Sequence, residues 1–208
     1  MKRLHLAAAA CAAVTGMLFA TAPRADEGKA EDPTVQRAIH VCAACHGEGG
    51  RSTAAVYPRL AGQMPMYTIA QLKAFRDQKR AELDPQAYMW GVSALLDDAT
   101  IAGLADYFAQ QTPAPGVVRN PGRVNAGKKI FEEGLPGKGV RPCASCHGDH
   151  AEGASVFPRL AGQHADYVLR QLTEFGTRLR PHGVLMKNET ANMTPSEKRA
   201  VAEYVQSL

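Results

Sequence analysis

Read for apolar periodicity, the chain falls into helical segments separated by Gly- and Pro-containing turns, and the same order of segments comes twice. The first apolar run, Leu6 to Ala22, carries no charge and follows Met1-Lys2-Arg3. A basic start before a short uncharged run predicts a secretory leader over residues 1–25, cut after Ala22 or Ala25. Pro33 to Val41 predicts a short helix, with Asp32 as N-cap and Pro33 at the first helical position. Met64 to Lys79 carries Ile69, Leu72 and Phe75 at helical spacing. Asp97 to Gln110 repeats that pattern through Ile101, Leu104, Ala105 and Phe108, with Asp97 or Asp98 to cap its start. Between these two, Arg80 to Leu95 contains Pro85 and Gly91 and reads as irregular.

Gln111 to Gly122 holds Pro113, Pro115, Gly116, Pro121 and Gly122, and reads as a linker (111–122) between units over 26–110 and 123–208. The second unit predicts a helix near Asn125 to Glu133, a turn at Phe157 to Gly162 and a helix from about His164 to Thr177. A loop through Pro181 and Gly183 follows, then a last helix from Pro195 to about Gln206, capped by Thr194. No alternating apolar pattern is long enough for a strand, so the expected fold is mainly α.

Two short segments give this repeat its chemistry. Cys42-Ala-Ala-Cys-His-Gly returns as Cys143-Ala-Ser-Cys-His-Gly, 101 residues later. Cys-x-x-Cys-His is the attachment signature of c-type haem, in which two thiols bond the porphyrin and the adjoining imidazole binds iron. One helical turn puts both thiols on one side and the imidazole beneath the metal. A disulfide or a redox dithiol needs no histidine, and a zinc site does not need the full pentapeptide twice. The expectation is two covalently attached haem c groups, at Cys42 and Cys45 and at Cys143 and Cys146, with His46 and His147 as iron ligands.

The repeat also selects a ligand for the other face of each iron. Tyr57-Pro-Arg-Leu-Ala-Gly-Gln and Phe157-Pro-Arg-Leu-Ala-Gly-Gln lie 100 apart, and Met89 and Met186 lie 97 apart. Met64, Met66 and Met193 have no methionine at the matching position, so Met89 and Met186 are the expected pair; the competing reading is that a loop Met fills core space. His182, near Met186, is the rival in the second unit. Carbonyls near Pro58 and Pro158 could accept the second N–H of each imidazole, and Arg59 and Arg159 could bind propionates.

Composition supports this picture. Of 208 residues 45% are hydrophobic and only 6% aromatic, so two macrocycles would supply core volume that two small units otherwise lack. Losing Lys2, Arg3 and Arg24 with the leader takes the formal charge from +4 to +1, and no basic patch is interleaved with aromatics, so nucleic acid is not an expected partner. The charge is uneven: Asp26 to Pro115 has 8 basic and 11 acidic residues, Gly116 to Leu208 has 13 and 9. Two unlike surfaces could face a donor and an acceptor. No triad, phosphate loop or acid pair asks for an enzyme.

With both haem motifs, both Pro-Arg-Leu-Ala-Gly-Gln segments and the Met89 and Met186 pair, the chain resembles the dihaem cytochrome c4 family over essentially all of its length beyond the leader. The resemblance implies two tandem class I cytochrome c domains, each wrapped around one covalently bound haem with His and Met ligands. It implies a bacterial periplasmic electron carrier, taking electrons from a donor dehydrogenase or quinol-oxidising complex and passing them to a terminal oxidase, with room for peripheral association with a membrane. An electron-transfer subunit of a periplasmic dehydrogenase, or a haem enzyme with one open iron site, are the alternatives. Gly127 and Phe131 resemble the small and aromatic pair that packs on the last helix in this family; the first unit lacks an obvious equivalent, which predicts a shorter or differently packed first helix there.

Overall fold

The computed structural model describes residues 32–208, so the leader predicted over residues 1–25 lies outside the described residues. The first unit is built from α1 (Pro33–His46), α2 (Pro65–Arg76), α3 (Trp90–Ser93) and α4 (Asp98–Ala109). The second comprises α5 (Pro121–Glu133), α6 (Ala144–His147), α7 (Ala165–Glu174), α8 (Val184–Thr190) and α9 (Pro195–Gln206). The described residues contain two isolated β-bridges and no strand, which agrees with the mainly α expectation.

α1 opens as its sequence demands: Asp32 Oδ1 accepts the Thr34 N–H at 2.6 Å, and Pro33 needs no donor in the first turn. It then runs past Val41 through the whole Cys-x-x-Cys-His segment, because none of those residues breaks a helix. Gly47, at φ 76°, ends it. The first helix of unit one is therefore not shorter than that of unit two. It is packed differently: Val35 and Ile39 bury against Leu104 and Phe108 of α4.

Two other segments depart from the sequence reading. The stretch expected to be irregular contains a π turn over Pro85–Met89 that continues into α3, since proline is tolerated where a turn begins. α5 starts at Pro121, four residues earlier than predicted, with Asn120 Oδ1 accepting the Arg123 N–H at 3.0 Å. Pro121 and Gly122, read as linker, are thus its first helical residues. In the second unit Gly127 lets α5 lie directly on the Ala200 backbone of α9, and Phe131, fully buried, meets Tyr204 with ring centroids 5.4 Å apart.

The halves meet through a reciprocal clasp. Gln63 accepts the Arg159 N–H at 2.8 Å and donates to the Arg159 carbonyl at 3.1 Å, while Gln163 does the same to Arg59 at 2.9 Å each way. Among the described residues no helix is long and apolar enough to cross a membrane.

Candidate functional site

His46 is the last residue of α1 and His147 the last of α6, and both rings are buried. Each Nδ1 donates to the carbonyl of the matching proline, Pro58 at 2.8 Å and Pro158 at 3.0 Å. That bond fixes the ring plane and the tautomer, leaving the Nε2 lone pair for a metal. Burial holds both imidazoles below their ordinary value, against the opposing pull of the carbonyl hydrogen bond, so they stay neutral and able to ligate.

Cys42 and Cys143 line the apolar clusters of their units, and burial pushes both thiols up to about 11. A redox dithiol requires the opposite, a depressed thiol, whereas an apolar setting suits a thioether-linked macrocycle. One further group fits haem: Arg159 Nε is buried without a hydrogen-bond partner beside Pro158, as suits a propionate. Arg59 differs. Its Nε donates to the Ser52 carbonyl at 3.2 Å and its Nη1 to the Gly162 carbonyl at 2.6 Å, so it holds the halves together.

The methionines are placed less alike. Met186, on α8, packs with Cys143 against one apolar cluster. α8 is tied back to the attachment segment by a paired contact of Arg141 Nε and Nη2 with Glu189 at 2.8 and 2.6 Å. Met89 is half-buried at the end of the π turn and lies outside the cluster that holds Cys42. Its neighbour Tyr88 reaches the haem segment through rings: Tyr88 to Tyr57 at 6.3 Å, then Tyr57 to His46 at 6.1 Å. His40, His150 and His182 are exposed. His164 is buried and its Nε2 lies 3.0 Å from the Ser52 carbonyl across the boundary.

Sequence reading missed the roles of Gln63, Gln163, Gln71, Gln171, Arg80 and Arg180, which meet between the halves. Each pair lies 100 residues apart, the same offset as the Pro-Arg-Leu-Ala-Gly-Gln segments, and that spacing was the available signal.

Comparison with known proteins agrees with this geometry. The cytochrome c family model matches residues 36–112 and again 124–208. Cytochrome c-552 of Acidithiobacillus ferridurans is 41% identical over 196 residues, covering 92% of this chain and 84% of that protein. The solved cytochrome c4 of Acidithiobacillus ferrooxidans superposes with a TM-score of 0.73 at 39% identity, covering 80% of this chain and 98% of the other. The thiosulfate dehydrogenase TsdBA of Marichromatium purpuratum contains a similar region, with a TM-score of 0.71 at 32% identity over 80% of this chain and 36% of that one. The chain therefore belongs to the dihaem cytochrome c4 family, electron carriers of class I cytochrome c fold that hold two covalently attached haem c groups.

Proposed function

We propose that this cytochrome is a periplasmic electron carrier in which His46 with Met89, and His147 with Met186, close both faces of the two irons. The observation that carries the reading is the repeated imidazole geometry. Both Nδ1 atoms are committed to a proline carbonyl, which presents both Nε2 atoms in one fixed orientation. A haem c at each site supplies a one-electron ferric and ferrous couple.

The chain's own part is to hold that couple still. Cys42 and Cys45 would anchor one macrocycle and Cys143 and Cys146 the other, the Pro58 and Pro158 carbonyls stop the imidazoles from turning, and the apolar clusters exclude water. With haem bound, Met89 and Met186 would each supply a thioether sulfur in both oxidation states, which would leave no position for a substrate. The leader over residues 1–25 supports export, and the acidic first and basic second halves support docking of a respiratory donor and an acceptor such as a terminal oxidase at different surfaces.

Similarity to a region of TsdBA favours a second reading, in which the cytochrome is the electron-accepting partner of a periplasmic dehydrogenase. Stable copurification with a larger catalytic subunit would select it. The first reading is tested by the absorption spectrum of the oxidised and reduced protein, with haem counted per chain and carbon monoxide added to the reduced form. Two haems, a ferric sulfur-to-iron band of two-site intensity and no carbon monoxide response are expected. Rapid carbon monoxide binding at one haem would remove Met89 or Met186 as a ligand there.

A further inference from the structure

The boundary between the halves buries charge that the clasp does not need. Arg80, Arg180 and Glu82 are 5%, 8% and 4% exposed. Arg80 Nη2 lies 2.7 Å from Glu82 Oε1, and Arg180 Nε lies 3.5 Å from the same oxygen. The guanidiniums share two amide oxygens: Gln71 Oε1 accepts from Arg80 at 3.0 Å and Arg180 at 3.2 Å, and Gln171 Oε1 from Arg80 at 3.0 Å and Arg180 at 2.5 Å. Each guanidinium also stacks on its own unit's phenylalanine, Arg80 on Phe75 at 4.4 Å and Arg180 on Phe175 at 4.3 Å.

The arrangement is symmetric in its arginines, glutamines and phenylalanines and asymmetric in its acid. Glu82 follows Arg80 by two residues; the residue two after Arg180 is His182, which is exposed. Arginine does not lose its proton in a protein, so two cations share one ionised carboxylate and a positive charge stays buried. Its position relates it to both redox centres. On α2, Gln71 adjoins Leu72, which packs in the cluster of Cys42; on α7, Gln171 adjoins Leu172, which packs in the cluster of Cys143. A cation in this low-dielectric boundary acts on both haems with little screening.

We propose that Arg80, Arg180 and Glu82 form one electrostatic element that sets the reduction potentials of both haems, its excess positive charge favouring the ferrous state of each and Glu82 limiting the effect. The inference rests on both sites being loaded with haem, and haem counted per chain on every sample separates a failure of that reading from a failure of this one.

The decisive variant is Arg180→Gln, which leaves the neutral Arg80 and Glu82 pair in place. Spectroelectrochemical titration of the holoprotein should show both potentials shifted downward. Arg178→Gln makes the same formal change on an exposed side chain two residues away, and should shift them much less. Glu82→Gln should move both upward, and Arg180→Lys, which keeps the charge, should restore values close to the parent. If Arg180→Gln lowers the melting temperature while both potentials stay where Arg178→Gln leaves them, the cluster is only a clamp between halves and the proposal is overturned. A shift confined to one haem would equally overturn the shared role.

Discussion

In the first unit α1 runs unbroken into Cys42 and His46, whereas in the second α5 stops at Glu133 and nine residues, Gly134 to Pro142, intervene before Cys143. The second unit closes that gap with the bridge between Leu135 and Val140 and braces it to α8 through Arg141 and Glu189. It also buries a broad cluster around Phe131, Val201 and Val205, where the first has Val35, Ile39, Leu104 and Phe108. The attachment chemistry is the same. What differs is how each methionine segment is held: by packing and an ion pair in the second unit, and in the first by the Tyr88 and Tyr57 rings together with Trp90 Nε1, which donates to the Arg80 carbonyl at 2.7 Å.

The largest expected effect breaks the second unit at its helix crossing. A Cβ at Gly127 would collide with the Ala200 carbonyl oxygen and come within 2.8 Å of Tyr204 Cβ, so α5 and α9 must separate. Gly127→Ala should cost about 3 kcal/mol, at the upper end for overpacking, because backbone rather than a flexible side chain stands in the way. Guanidinium unfolding followed by haem absorbance should then resolve an early transition of the second unit ahead of the first. One unchanged transition would show that the crossing does not limit stability.

The contrast between units also explains what could be read in advance. Caps were legible because they are local. Asp32, Asp97 and Thr194 each accept the backbone N–H expected of an N-cap, and Glu197 completes a reciprocal box with Thr194. Gly127 and Phe131 were legible only through their resemblance to the small and aromatic pair of the family, and the crossing at Ala200 and Tyr204 bears that resemblance out. The first unit achieves its crossing with Val35 and Ile39, ordinary apolar residues that carry no such signature. The turn over Pro85–Met89 was hidden because Pro85 reads equally as a breaker and as a helix start. The clasp and the buried arginines were hidden because Gln63, Gln71 and Arg80 find partners in the other half, 91 to 109 residues away, a tertiary fact that local pattern does not encode.

A smaller effect should sharpen the comparison in the first unit. Trp90→Phe keeps an aromatic ring, though a smaller one, but removes the donor to the Arg80 carbonyl, at about 1–3 kcal/mol for the group left unpaired. Because Trp90 adjoins Met89, the loss should appear as a weakened sulfur-to-iron band of one-site intensity and partial carbon monoxide binding, with the second unit unaffected. A variant with full band intensity would show that the rings alone hold Met89.

The smallest effect concerns the brace of the second unit. The Arg141 guanidinium holds the Glu189 carboxyl below its ordinary value of 4.5, aided by the Arg141 N–H and against partial burial. A depressed folded-state pKa contributes stability above the unfolded value and loses it as pH falls through the folded one. The brace is therefore complete at neutral pH and fails on acidification below 4.5. Arg141 is largely exposed, so solvent screening keeps the pair's contribution small despite its paired geometry. If Met186 ligates as proposed, Glu189→Gln should weaken the sulfur-to-iron band of the second unit slightly at neutral pH, and its difference from the parent should vanish in acid, where the parent's own carboxylate is protonated. A difference that persists unchanged through that range would mean that α8 is held by packing of Met186 and Thr190 alone, and that the two units differ in their cores but not in this ion pair.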